Sequence, residues 1–167
     1  MLDEGGDLFV FHAKTRSYII PRLTEALKNR PIKSSDVSAL IAIHDHPGCT
    51  IKDICLDIAG DKGLMTNKVH HLIEIGMVEN RSPGQKNYKL YLTESGNVEY
   101  EYAHNALKTI NDSLTINFTE RQKETFIKLM KKIEEITDLG YRYRCRDRSR
   151  HHDQFLFETV RMNVLGS

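Results

Sequence analysis

A chain of 167 residues with 40% hydrophobic and 28% charged side chains is long enough to bury a core, which argues against disorder along its whole length. Its 24 basic and 23 acidic residues leave a formal net charge of +1, so no global positive field announces a nucleic-acid partner; a local patch must meet one. No apolar run approaches the ~18 residues of a membrane span, and MLDEGGDLFVFHAKTR lacks the basic-then-apolar order of a signal peptide, so a cytoplasmic protein without a membrane partner is expected.

Three cysteines, Cys49, Cys55 and Cys145, form no CxxC pair and leave an odd one over, which favours free thiols over a disulfide framework. Residues 7–29 have helix-forming content, but Pro21 removes a backbone donor and is expected to kink or restart that helix. Leu8 to Phe11 and Tyr18 to Ile20 exceed one core-facing stripe and suggest a subunit interface. After Pro31, Ser34 or Ser35 can cap a second helix with Asp36 in its first turn; Val37, Leu40, Ile41 and His44 recur at i, i+3, i+4 and i+7. Pro47-Gly48 ends it. Thr50 and Asp53 have capping-box spacing for a short helix running to Gly60.

A third helix of the cassette is expected from about Asp61 to Ile75, closed by Gly76. Met65, Val69, Leu72 and Ile73 form its buried stripe, which leaves Lys62, Gly63, Thr66, Asn67, His70, His71 and Glu74 toward solvent. Residues 77–81 and 88–92 read as hairpin strands around a loop at 82–87. Thr93 caps a long helix with Val98, Tyr102, Ala106, Ile110 and Leu114 along one side, and Thr119 with Gln122 opens another carrying Phe126, Leu129, Met130, Ile133 and Ile136. In residues 141–150 five arginines alternate with other residues against a single Asp147, a local charge of +4; on an extended strand they would share a face, and on a helix they would scatter. Phe155 to Leu165 have the apolar content of a short docking helix.

The expected fold is mainly α with a β-hairpin wing, a winged helix-turn-helix plus a helical dimerisation region. Residues 34–92 form the winged helix, 1–33 and 93–137 the dimerisation region, and 138–167 a basic tail. Three short helices closed by a hairpin present the third helix along an outer edge, where it can enter the major groove and read base edges. The DNA-binding candidates are Lys62, Thr66, Asn67, Lys68, His70, His71, Arg81 and Lys86: polar side chains for bases, and cations for phosphates. Residues 62–91 carry five basic against two acidic residues, a local +3.

The stretches SSDVSALIAIHDHPGCTIKDICLDI, KVHHLIEIGMVEN, LYLTESG and LTINFTERQKETFIKLMKKI resemble the MarR family of bacterial transcription regulators over about residues 8–137. The resemblance is most specific from the third helix through Leu-Thr-x-x-Gly. It implies a homodimer that reads a pseudo-palindromic operator in double-stranded DNA, represses transcription and is released by a small-molecule effector of unknown identity. The chain departs from the family in having Asn80 where an arginine is usual, and Gln85-Lys86-Asn87 where the wing usually has Asp-x-Arg. Two alternatives remain: a metal-responsive regulator of the same fold, and a winged-helix protein-docking module without DNA binding. His44 in register with apolar residues reads as a core or pocket histidine; convergence of His44, His46, His104, Glu101 and Cys49 is the metal reading, although HxxxH and CxxC spacings are lacking. No catalytic residue, metal ligand or cofactor is assigned, since neither a nucleophile beside a base nor a phosphate loop occurs, and no enzyme is expected.

Overall fold

The computed structural model describes residues 7–58, 61–82, 84 and 88–146. The elements run α1 (Asp7–Ala26), α2 (Val37–Asp45), α3 (Ile51–Asp57), α4 (Lys62–Glu74), β1 (Val78–Asn80), β2 (Leu90–Leu92), α5 (Glu94–Leu114) and α6 (Glu120–Arg146). Two compact units divide the chain, one ending at Asn117 and the other beginning at Phe118.

In the first unit α2, α3 and α4 pack on one another, and β1 and β2 pair antiparallel with Val78 opposite Leu92 and Asn80 opposite Leu90. Helix α5 packs on α1, α2 and β2. The core centres on Leu40, Ile43, Ile54, Met65, Val69, Leu72 and Leu90, each below 2% exposed. Burying a side chain of this size stabilises by about 1.5–3 kcal/mol, which is how a seven-residue helix such as α3 persists. The α2–α3 connection joins the wing: Gly48 N–H donates to the Leu90 carbonyl at 2.7 Å and Leu90 N–H to the Cys49 carbonyl at 3.0 Å.

The helix ends follow local chemistry. Thr50 and Asp53 form the reciprocal capping box. Thr119 and Gln122 exchange the same pair of bonds at the start of α6. At the end of α4, Gly76 takes φ +73°, Met77 N–H reaches the Leu72 carbonyl and Gly76 N–H reaches that of Ile73, the paired bonds of a Schellman cap. Thr93 caps α5 by accepting from Gly96 N–H at 3.0 Å, and its hydroxyl donates to the Gly76 carbonyl at 2.7 Å. Gly96 is obligatory for space: an added Cβ would run into the Met77 carbonyl oxygen.

Several expectations are corrected. Helix α1 runs through Pro21 without a restart. The N-cap of α2 is Asp36 itself, because the Ser34 hydroxyl pairs with Thr24 Oγ1 at 2.8 Å and Ser35 donates to Asp36. The strands are three residues each, shorter than read. The buried face of α5 is Gly96, Glu99, Tyr100, Ala103 and Ile110, whereas Val98, Tyr102 and Leu114 are exposed. Glu99 is buried because Arg30 grips it with two bonds, Nη2 to Oε1 at 2.6 Å and Nε to Oε2 at 2.9 Å; that contact raises the Arg30 pKa further.

The second unit is α6, whose backbone stays helical through Arg146. Of the strand and helix alternatives for residues 141–146, the helix forms. Phe118 and Phe126 meet edge to face at 5.8 Å across its first turns. The expectations for Gly60, for the wing loop at Pro83 and Gln85 to Asn87, and for the arginines and apolar residues from 147 onward lie outside the described residues.

Candidate nucleic-acid interface

Helix α4 is fixed at its start by Asp61, whose carboxylate accepts the Leu64 N–H at 2.9 Å. Its buried stripe, Met65, Val69 and Leu72, seats it against the core, and Lys62, Leu64, Asn67 and His70 are left exposed. Asn67 stands opposite Met65 and Val69 on the helical wheel, so its amide is presented outward with both donor and acceptor.

The other candidates are placed unequally. Thr66 and Lys68 are half-buried, and the Thr66 hydroxyl donates to the Lys62 carbonyl at 2.8 Å, which leaves it acceptor capacity only. The solvent-facing reading of His71 is corrected: its side chain is 29% exposed, with Nδ1 at 3.3 Å from the carboxylate of buried Asp36, which also accepts the Lys33 N–H. His71 thus ties α4 to the start of α2. His70 turns toward the wing, with Nε2 at 3.2 Å from Tyr88 Oη; the histidine tautomer decides which of them donates. Arg81 is exposed but occupied, bonded to Glu79 through Nε at 2.7 Å and Nη2 at 2.6 Å, with its guanidinium 4.2 Å above the Tyr91 ring. Lys86 lies outside the described residues.

Three features of the site escaped sequence reasoning. Exposed Leu64 stands at the third position of α4, Tyr88 closes on His70, and exposed Lys52 adds a cation on α3. Tyr88 had no signal beyond being an aromatic at a strand edge. Leu64 was legible as an apolar residue out of register with Met65, Val69 and Leu72. Asn80 has a structural role: its side-chain oxygen accepts from the backbone N–H of Ser82 and of Lys89, each at 3.0 Å, and so closes the neck of the wing.

Beside this face, α2 and α5 bring rings together. His44 stacks on Tyr100 at 3.7 Å with planes 10° apart and bonds Asp45 through Nδ1 at 2.9 Å, and His104 lies 5.6 Å from the Tyr100 ring, tilted by 32°. Burial raises the Tyr100 hydroxyl pKa. His46 instead approaches Asp57 at 3.8 Å. Burial pushes the Cys49 thiol up to about 11, so it is protonated at neutral pH. Among the described residues no three His, Cys, Asp or Glu side chains converge as a metal site. No helix among them is long and apolar enough to cross a membrane.

The exposed recognition-type helix, its two-stranded wing and the long flanking helices have counterparts among solved structures. A SlyA-like transcription regulator from Listeria monocytogenes superposes with a TM-score of 0.75 at 18% identity, covering 91% of this chain and 100% of that one. The fold is that of the MarR regulators. A mutant MarR from E. coli, solved in complex with operator DNA, has the MarR fold with a TM-score of 0.64 at 23% identity over 78% of this chain and 98% of its own. In sequence, the HTH-type transcriptional regulator BilQ of Clostridium symbiosum is 25% identical over 96 residues, 56% of this chain and 67% of that protein. No family model matches the chain.

Proposed function

We propose that this protein is a MarR-type transcription regulator that binds an operator in duplex DNA as a homodimer through α4. The observation that carries the reading is the outward face of α4, where Asn67 and His70 stand exposed away from a fully buried stripe, with Lys62 exposed at the start of the helix. The bound operator of the E. coli structure supports the same use of the fold. Lys62, Lys68 and Lys86 are assigned to phosphates, and Asn67 and His70 to base edges. Arg81 reaches a phosphate only by giving up Glu79, and His71 serves as a positioning residue.

The homodimer is inferred from exposed apolar side chains in both units, among them Phe9 at 77% and Ile136 at 66%. Repression by operator occupancy, and release by a small effector acting on the α2–α5 seam where His44 lies on Tyr100, complete the proposal. The test is selection of bound duplexes from a random pool, followed by titration at two salt concentrations. Asn67→Ala is expected to lose about 1–3 kcal/mol on the selected site while nonspecific binding stays nearly intact. Equal losses on both DNAs would overturn the role of α4. The engagement of Arg81 by Glu79 favours one other reading, a protein-docking winged helix, for which random DNA would show almost no salt-dependent binding.

A further inference from the structure

We propose that Leu64 reads DNA, its isobutyl group covering the 5-methyl of a thymine next to the base pair met by Asn67. This rests on the reading of α4 as the recognition helix. Among the described residues between 34 and 92, Leu64 is the one large hydrophobic side chain left exposed, at 64%. The other large hydrophobic side chains described there are buried or half-buried, so the exposure is local to the first turn of α4 and does not mark a loosely packed domain.

Position adds the second argument. Residues three apart on a helix are neighbours, so Leu64 and Asn67 form one composite surface, an apolar group beside an amide. The first turn of a recognition helix is the part that meets base edges. Gly63 next to them is exposed and carries no side chain, and an added Cβ there would meet only Asp61 Oδ1, at 3.2 Å. The helix backbone can therefore approach the groove floor closely enough for a leucine to reach it.

Chemistry names the partner. The thymine methyl is the apolar projection that the major groove displays, and an adenine beside it offers the donor and acceptor pair that an asparagine matches. Leu64 has no polar atom with which to hold a phosphate or a water. The composite surface thus selects a 5-methylpyrimidine next to an A·T pair.

The test uses the full-length protein and the site obtained by selection, with thymines replaced one at a time by deoxyuridine, which removes only the methyl. One position per half-site is expected to cost wild type about fourfold in affinity, and replacement in both half-sites about 15-fold, from burial of about one methyl group each. Leu64→Ala, at a side chain 64% exposed, is expected to bind the thymine and uracil duplexes alike. If no thymine is sensitive, or if Leu64→Ala keeps the same sensitivity as wild type, the proposal is overturned while α4 remains the reading element. If selection yields no preferred sequence, the reading of α4 fails and this inference with it.

Discussion

The winged-helix region and α6 carry apolar residues at similar helical spacing and treat them in opposite ways. Between α2 and β2 those residues close on one another, so that Leu40, Ile43, Val69, Leu72 and Leu90 lose nearly all contact with solvent. Along α6, Ile127, Leu129, Met130, Ile133 and Ile136 stay about half exposed or more. The first region needs nothing beyond its own chain to hide its hydrophobic surface. The second is a 27-residue helix whose apolar stripe stays open, so the same periodicity closes a core in one place and leaves an exposed face in the other.

The sharpest way to break this comparison is a matched pair of truncations. Leu72→Ala is expected to cost about 2–5 kcal/mol in denaturant unfolding at any protein concentration. Ile133→Ala should leave dilute protein nearly unchanged and instead weaken self-association in sedimentation. Equal losses from both, independent of concentration, would mean that α6 is as self-sufficient as the winged helix.

A smaller effect is expected where the two long helices begin. Gly96→Ala must displace the Met77 carbonyl and should cost about 1–3 kcal/mol. Thr93→Ala loses the cap of α5 and its bond to Gly76, about 1–2 kcal/mol. Thr119→Ala, the equivalent change at α6, should lose only several tenths, because among the described residues its hydroxyl donates to the Gln122 side chain and to no backbone carbonyl.

The pH dependence sharpens the contrast further, at Asp53 on α3 and at Cys49 just before that helix. The Thr50 N–H and hydroxyl hold the Asp53 carboxyl below the usual carboxylate range. Its contribution is complete above the ordinary value near 4 and is lost as pH falls through the depressed one, so Asp53→Asn should lower stability at neutral pH and flatten the acid limb of the profile. Cys49 behaves in the opposite sense. Its folded value of about 11 lies above the ordinary 9.0, so its contribution is intact below 9 and declines as pH rises toward 11. Cys49→Ala should remove that alkaline limb, and native protein at pH 8 should resist alkylation at this thiol until it unfolds.

Local signals made much of the winged helix legible. Capping boxes at Thr50 and Thr119, the left-handed Gly76 and the Thr93 cap are written in short spacings, and all four form. The α5 stripe was misread for a geometric reason. Every fourth residue advances about 400°, a drift of about 40° per step, so the line from Val98 to Leu114 starts in solvent, crosses the core at Ile110 and leaves it again. The candidate interface was half legible. A helical wheel shows which face of α4 points away from Met65 and Val69, and Asn67 and His70 are exposed there. It shows nothing of partners on other elements: Asp36 draws His71 inward, Tyr88 meets His70 and Glu79 engages Arg81.

The neck of the wing separates what must be conserved in shape from what is open to replacement. Asn80 bonds two backbone amides across the hairpin, Arg81 N–H donates to the Lys89 carbonyl at 2.9 Å, and Leu90 is stitched to Cys49 below them. Closure is therefore completed before the tip begins. Lengthening a loop whose ends are already pinned adds only ~0.6 kcal/mol per doubling. A peptide epitope or a fluorophore-binding tag spliced between Gly84 and Tyr88 should leave the register of β1 and β2 intact. The wing is thus a graft site, a handle on which a reporter can be carried beside α4 without rebuilding the domain that holds it.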